Sequence, residues 1–326
     1  ERVGLDVGRA ENVGSVEHLF THRRLRLHVF RCDTARGRVR ALDNLSTGRI
    51  ENLAPMRDRI ELIEADLCDA EVCHLACRDM EVVLHQAAIP SVPKSVDHPA
   101  QSHAANATGT LNLLIAARDA GCRRFIMAAS SSAYGDTEVS PKVETLVPNP
   151  MSPYAVAKLA AEHYCRAFYQ CYGLQTLALR YFNVFGPRQD PNSAYAAAIS
   201  AFVTAILKDR RPTVYGDGEQ TRDFTYVTDA VEATLAAVDR GRPGMVYNVG
   251  GGARVTINDT IEMLARASGV TPTLQYEAVE LGDMRHTVAD TTRAREELGW
   301  KPTFELEEGL AHQVSWLKGR MVGHEH

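Results

Sequence analysis

From Val39 onward, short apolar runs alternate with longer amphipathic ones. The runs "VRALDNL" (39–45), "IELIEADL" (60–67) and "EVVLHQAA" (81–88) read as strands, the first closing in a polar turn. Residues 99–120 read as a helix, with Pro99 in its first turn and Gly121 at its C′ position. "RRFIMAASS" (123–131) predicts a strand, "PYAVAKLAAEHYCRAFYQCYG" (153–173) a helix and "LQTLALRYFNVFG" (174–186) a further strand. This β-α-β-α order predicts an α/β fold with a doubly wound parallel sheet and helices on both faces. After residue 186 the pattern loosens into short elements with Gly/Pro-rich turns at 212–218 and 241–252. The expected organisation is a first domain over 1–186 and a smaller α/β domain over 187–326. No internal repeat is visible.

Composition narrows the classes. A chain of 326 residues that is 45% hydrophobic can bury a sizeable core. A net charge of −5 does not suit a protein that coats a polyanion, so an anionic ligand must be met by a few placed arginines. The seven cysteines are odd in number and scattered, which argues for a reducing compartment and against a disulfide framework. Cys68, Cys73 and Cys77 with His74 lack paired C-x2-C spacing; the expectation is buried helix thiols and no metal. No apolar run approaches the ~20 residues of a membrane span. There is no signal peptide, a cytoplasmic location is expected, and the start at Glu1 instead of Met points to a missing true start.

In such a sheet, ligands bind beyond the carboxyl ends of the strands. Asp43, Asp66 and Ser130 sit at those ends. "YAVAK" places Tyr154 and Lys158 at i and i+4, on one helix face. A phenol with its free pKa near ~10 is a poor base, and a neighbouring ammonium favours the phenolate. With a serine hydroxyl to position the substrate, the trio forms a base, its electrostatic activator and a donor. Alone the spacing is common on helix surfaces; the triple serine at 130–132, at a strand end upstream, is what gives it weight. A carboxylate such as Asp43, ending the second strand of a dinucleotide fold, bonds ribose hydroxyls and repels a 2′-phosphate, which favours NAD. The competing reading of "DNLSTG" is an Asx turn, and both can hold.

At this point the chain resembles the extended short-chain dehydrogenase/reductase family, and within it the nucleotide-sugar 4-epimerases. The matching pieces run in family order: "ALDNLSTG" (41–48), "ADL" (65–67), "HQAAIPSVPKSV" (85–96), "NATGTLNLL" (106–114), "ASSSAYGD" (129–136), "SPYAVAK" (152–158), "RYFNVFGPRQDP" (180–191), "GDGEQTRDFTYV" (216–227) and "GDMRHTVAD" (282–290). Together they span residues 37–320. The resemblance implies a Rossmann-type sheet that binds NAD in the first domain. It implies a substrate domain from 187, with segments near 222–252 returning to the first. It implies Tyr154 as the catalytic base, Lys158 as its partner on the nicotinamide ribose, and Ser130 as the catalytic serine. Asp43 and Asn44 are implied on the adenosine ribose, Asp66 and Leu67 on the adenine ring, and Ala87, Ala88, Asn106 and Tyr181 as further cofactor contacts. Ser132, Asn183, Arg222, Arg285 and Thr287 are implied on the substrate. Arg222 would clamp the diphosphate, since a guanidinium fork matches phosphate oxygens; the plainer reading of it is a salt bridge with Asp223 or Asp217.

The implied reaction is oxidation and re-reduction at one carbon: hydride passes from C4 of a UDP-sugar to NAD⁺, the 4-keto sugar turns over, and hydride returns to its other face. "SVPKSV" (91–96) and a small Thr287 at the family's gatekeeper position point to UDP-GlcNAc/UDP-GalNAc, with UDP-Glc/UDP-Gal also accepted. Serines stand at 131 and 132, where related 4,6-dehydratases carry an Asp-Glu pair and decarboxylases a glutamate, which argues against both. UDP-glucuronate 4-epimerase or another NAD-dependent sugar-nucleotide enzyme remains an alternative. A homodimer through the helices at 99–120 and 153–173 is expected.

One departure stands out. The family opens with a strand and a T-G-G-x-G-F-I-G turn, whose amides meet the NAD pyrophosphate. That turn should fall near residues 19–25, where "THRRLRLHVF" (21–30) stands instead. Read one base later, these codons can spell Thr-Gly-Gly-Phe-Gly-Phe, and the family frame resumes from Ala35, so a frameshift upstream is expected. Without glycine's close approach NAD affinity should fall, which leaves a second class of reading: a non-catalytic remnant that binds sugar nucleotide. The alternation within 25–30 could still supply a first strand. Nucleic-acid binding through the arginines lacks aromatic interleaving and any supporting motif.

Overall fold

The computed structural model describes residues 39–189, 198–279 and 285–322, and the backbone of 11–20 and 23–31. In chain order, β1 (Glu11–Phe20) and β2 (Arg23–Arg31) are followed by β3 (Val39–Asp43), β4 (Ile60–Glu64), α1 (Ala70–Cys77) and β5 (Val82–His85). Then come α2 (Val92–Asp97), α3 (Pro99–His103), α4 (Gly109–Asp119), β6 (Arg124–Ser130), α5 (Pro153–Tyr172), β7 (Gln175–Tyr181) and β8 (Val184–Phe185). The remaining elements are α6 (Ala198–Leu207), β9 (Thr213–Tyr215), β10 (Thr221–Arg222), β11 (Thr225–Tyr226), α7 (Val227–Asp239), β12 (Val246–Val249), β13 (Val255–Thr256), α8 (Ile257–Ser268), β14 (Gln275–Glu277) and α9 (Leu306–Val322).

The centre is a four-stranded parallel sheet of order β12-β7-β6-β5. Strand β6 shows why its sequence is a continuous apolar run. Phe125 and Met127 pack with Cys73, Cys77, Leu113, Leu114, Ala161 and Cys165, from α1, α4 and α5. Ile126 points to the other face, where it meets Leu177 and Leu179 of β7 and Ala233 and Ala237 of α7. A strand covered on both faces has no polar side to alternate with. The doubly wound parallel arrangement expected from the sequence is therefore present. A third apolar cluster joins β8, α6, β9, β11, α8 and α9.

The predicted helix at 99–120 is helical nearly throughout, but not uniformly. Residues Ala104–Thr108 form one π-helical turn between α3 and α4. Gly121, with φ +72°, follows α4 in the left-handed conformation. Cys73 and Cys77 lie buried inside α1, as expected, while Cys68 is exposed just before it.

The first strand departs from expectation. Residues 23–31 do form a strand, but it pairs antiparallel with β1 in a two-stranded sheet of their own. Two extended runs this close in the chain pair with each other at little entropic cost. A crossover into a parallel sheet needs a dozen or more residues and the turn that this stretch lacks. The inferred glycine turn and frameshift fall partly on 21–22 and 32–38, outside the described residues, as do 190–191 and 282–284 of the matching segments. Strands β3 and β4 pair parallel with each other, and among the described residues neither joins the four-stranded sheet.

Candidate active site

The N-terminus of α5 sets the centre. The Ser152 side chain accepts the Ala155 N–H at 3.2 Å, and Pro153 occupies the first helical position. Tyr154 therefore lies in the first turn and is half-buried, with Lys158 one turn on and buried. The Lys158 ammonium donates to the Ala128 carbonyl of β6 at 2.9 Å. Two residues further along β6, Ser130 caps a 3₁₀ turn over Ser131–Tyr134. Its hydroxyl accepts the Ser132 N–H at 3.2 Å and the Ser132 hydroxyl at 2.8 Å. The serine strand end and the Tyr-Lys helix, 24 residues apart in sequence, are thus brought together by the Lys158–Ala128 hydrogen bond and by the packing of Ala161 and Cys165 on Phe125 and Met127. Burial brings Lys158 down to about 8. Beneath it, His85 shares a 2.7 Å hydrogen bond with the Thr110 hydroxyl. Burial, and after it the Lys158 charge, press His85 down to about 3, so it is neutral.

The adenosine-side candidates gather at the ends of β3 and β4. Asp43 Oδ1 accepts the Leu45 N–H at 2.8 Å, which is the Asx turn read from the sequence. Asn44 Nδ2 donates to Asp66 Oδ2 at 2.7 Å, and Asp66 Oδ1 accepts the Cys68 N–H at 2.8 Å. That backbone hydrogen bond is the main cause holding Asp66 below the usual carboxylate range. The Leu67 carbonyl accepts from Asn112 Nδ2 at 3.3 Å, tying this end to α4. Ala87 and Ala88 lie in the half-buried loop after β5. Asn106 is fully buried in the π-turn and pins that loop. Its Oδ1 accepts the Ile89 N–H at 3.1 Å, and its Nδ2 donates to the Ile89 and Ser102 carbonyls at 3.2 and 2.9 Å. Tyr181 ends β7, its hydroxyl hydrogen-bonded to Thr234 of α7 at 2.6 Å.

The substrate-side candidates surround a second centre, which the sequence did not single out as one. Asn183 has φ +27° and donates to the Asp223 carbonyl at 2.9 Å. The Asp223 side chain is fully buried; it accepts the Gly251 N–H at 2.6 Å and the Ala289 N–H at 2.9 Å. Burial raises its pKa to about 6, the backbone donors acting in opposition. Arg222, on β10, donates to its neighbour's carbonyl, Thr221 O, at 3.0 Å. Asp217, one of the partners read for Arg222, holds Arg285 instead, through two bonds of 2.8 Å. That pairing keeps the Asp217 carboxyl low, at about 2. Thr287 is buried, its N–H bonded to Thr221 O at 3.1 Å.

Two features had only faint sequence signals. Glu162, one turn beyond Lys158, is a charged residue on the apolar face of α5. It binds the Arg180 guanidinium through two hydrogen bonds of 2.8 and 2.7 Å. His85 is a polar residue ending an apolar strand, and its spacing names no partner.

These residues fit a dinucleotide at both of its ends. The strand-end acceptors Asp43, Asn44 and Asp66 suit an adenosine ribose. The Lys158 ammonium has three donor hydrogens and one hydrogen-bond partner among the described residues, so it has donors left for a second ribose and a phenol. Near residues 19–25, where the pyrophosphate-binding turn is expected, the described residues include no glycine.

Comparison with known proteins agrees with this geometry. A family model described as GDP-mannose 4,6 dehydratase matches residues 31–313. A UDP-glucose 4-epimerase of Mycolicibacterium smegmatis is 38% identical over 286 residues, 86% of this chain and 91% of the relative. The crystal structure of a Thermotoga maritima UDP-glucose 4-epimerase with UDP-glucose superposes with a TM-score of 0.83 at 36% identity, covering 87% of this chain and 92% of that one. A UDP-N-acetylglucosamine 4-epimerase from Methanobrevibacter ruminantium M1, in complex with UDP-N-acetylmuramic acid, gives 0.83 at 38% identity, with 87% and 91% coverage. Solved relatives hold NAD, among them the Thermus thermophilus UDP-glucose 4-epimerase. No helix among the described residues is long and apolar enough to cross a membrane.

Proposed function

This chain belongs to the GDP-mannose 4,6-dehydratase family, within the extended short-chain dehydrogenase/reductases, and from that premise we propose that it is an NAD-dependent 4-epimerase of UDP-sugars. The preferred pair is UDP-GlcNAc/UDP-GalNAc, with UDP-Glc/UDP-Gal accepted as well. The observation that carries the reading is the seating of Lys158 on the Ala128 carbonyl, which sets the Tyr154 turn of α5 against the strand that ends in Ser130. NAD, when bound, supplies the hydride acceptor and donor. The Tyr154 phenolate, stabilised by the Lys158 ammonium, takes the C4 hydroxyl proton and becomes the neutral phenol, and Ser130 holds the sugar oxygen. Arg222 and Arg285 meet the diphosphate, for which Arg285 must leave Asp217. Residues 1–186 would hold the cofactor and 187–326 the sugar nucleotide, in a homodimer paired through α3–α5.

Against a dehydratase stands the hydroxyl pair Ser131–Ser132: it offers no carboxyl acid for expelling water, and Ser132 is already engaged with Ser130. A second reading has its own observation. The antiparallel β1–β2 pair stands where the parallel sheet and its glycine turn are expected, which favours a protein that binds sugar nucleotide without turning it over. One experiment separates the two. Purified protein is incubated with NAD and UDP-GlcNAc, and the anomeric proton signals are followed by NMR. Growth of UDP-GalNAc to an equilibrium mixture is expected. An unchanged spectrum with saturable UDP-GlcNAc binding would establish the second reading.

A further inference from the structure

We propose that Arg254 and His286 complete the diphosphate site begun by Arg222, and that His286 takes a proton from solvent as a sugar nucleotide binds. This inference rests on the sugar-nucleotide reading above and deepens it at one place. Thr221 is the hub. Its backbone is bridged on one side to Thr256 of β13 and on the other to His286. Its carbonyl accepts from the Arg222 guanidinium at 3.0 Å. Its hydroxyl oxygen accepts the Arg254 Nε–H at 3.0 Å and lies 2.9 Å from His286 Nδ1. Two guanidinium groups and an imidazole thus converge on one buried residue. Arg285 adjoins them, held by both oxygens of Asp217. Other exposed arginines also carry a carboxylate, Arg242 on Glu297 and Arg266 on Glu307. Arg254 and His286 have none among the described residues. A guanidinium positioned by the backbone and left without a carboxylate suits phosphate oxygens.

The hydrogen bonds fix where the proton goes. The Thr221 oxygen spends a lone pair on Arg254, and its own hydrogen needs an acceptor. Among the described residues His286 Nδ1 is the acceptor in reach, so the neutral ring carries its hydrogen on Nε2. Partial burial, and after it the charges of Arg254, Arg285 and Arg222, hold the imidazole below the usual histidine range, with Asp136 opposing least. The ring is therefore uncharged at neutral pH. Each phosphate of a bound sugar nucleotide brings a negative charge that does not titrate near neutrality. Those charges offset the arginine repulsion and favour the imidazolium. The proton enters at Nδ1, which then donates to the Thr221 oxygen, and the hydroxyl hydrogen turns to a phosphate oxygen. One proton leaves solvent and no other group changes its charge. Since binding raises the pKa of His286, affinity strengthens as pH falls.

The test is calorimetric titration of the whole chain, with NAD present, by UDP-GlcNAc. Two buffers of unlike ionisation enthalpy, PIPES and imidazole, count the protons taken up. Epimerisation moves no net proton, so those counted belong to binding. Uptake of about half a proton is expected at pH 7, and binding should tighten about fivefold from pH 8 to pH 6. His286→Gln keeps an amide beside Thr221 and cannot titrate; it should abolish the uptake and flatten the pH dependence. Arg254→Gln should weaken binding about tenfold at pH 8, where His286 is uncharged. Melting curves accompany both variants, and the wild-type proton count stands whether or not they fold. Zero uptake by the wild type overturns the proposal, as does unchanged binding in Arg254→Gln. An uptake that survives His286→Gln, as one at the buried Asp223 would, overturns it too. Epimerisation without uptake overturns this inference alone. Proton-coupled binding without epimerisation overturns the catalytic reading alone, and no binding of UDP-GlcNAc overturns both.

Discussion

Replacing Glu162 with Gln should be among the most damaging single changes in the molecule, because of what it leaves behind. Glu162 and Arg180 join helix α5, which carries Tyr154 and Lys158, to β7, with side chains only 5% and 3% exposed. Both carboxylate oxygens are used, at 2.8 and 2.7 Å. The Arg180 guanidinium also lies 4.6 Å from the Tyr134 ring centroid. In the Gln variant the arginine stays charged, because its pKa is too high for it to shed its proton. A buried, uncompensated charge of this kind costs about 3–5 kcal/mol. The double variant Glu162→Leu/Arg180→Met removes both charges and should recover roughly 2 kcal/mol or more of that loss. Full recovery is not expected, since the cation–π contact with Tyr134, about 1–2 kcal/mol, is lost too. Urea unfolding of the wild type, both single variants and the double variant, followed by circular dichroism, gives the cycle. If the Gln variant loses less than about 1 kcal/mol, or the two single losses simply add, the pair is not the buried junction described here.

Tyr154→Phe should keep the fold and reduce epimerase turnover about 10²–10⁴-fold, the usual contribution of a general acid–base group, as measured by initial rates beside a melting curve. Lys158 has a folded pKa of about 8 against 10.5 for the free side chain, so the unfolded chain binds more protons between those values and stability rises with pH across that window. The stability of the wild type relative to Lys158→Met, from urea titrations, should therefore increase by about 2 kcal/mol between pH 8 and pH 10; a constant difference would contradict the burial of this ammonium. Gly135→Ala should destabilise by roughly 1–3 kcal/mol, since Gly135 has φ +62° and an added Cβ would come within 1.9 Å of the Asn149 carbonyl. The same urea titrations measure that loss.

The sequence was most informative where the chemistry is local. Strand β6 is a run of apolar residues, and the capping pattern Ser152–Pro153 fixes the start of α5 and with it Tyr154 and Lys158. Asp43 and Asp66 fall at strand ends because the pattern marks where each strand stops. What the pattern could not show depends on residues far apart in the chain. Asp217 takes Arg285, 68 residues away, and not the nearby Arg222. Asn106 sits in a π-turn within an otherwise ordinary helical stretch, and only the fold shows that its side chain is spent on the Ile89 loop. The first strand failed for a related reason. Alternation reports that a segment is extended, whereas the choice between a local antiparallel partner and a distant parallel edge lies in the connection, and there the glycines are missing.

The divided sheet also bears on how the molecule comes apart. Among the described residues the β3–β4 pair shares no hydrogen-bond ladder with the four-stranded sheet, and α1, which follows it, meets the rest through side chains such as Cys73 and Cys77 packed among those of α4 and β6. Cooperativity across that junction is carried by side-chain packing and a few side-chain hydrogen bonds, such as Asn112 Nδ2 to the Leu67 and Cys68 carbonyls. Amides of β3 and β4 should accordingly open at a lower free energy than those of β6 and β7, as a sub-global unit that separates before the main transition. A chain of this length would then unfold in two steps, with the strand ends carrying Asp43 and Asp66 released first.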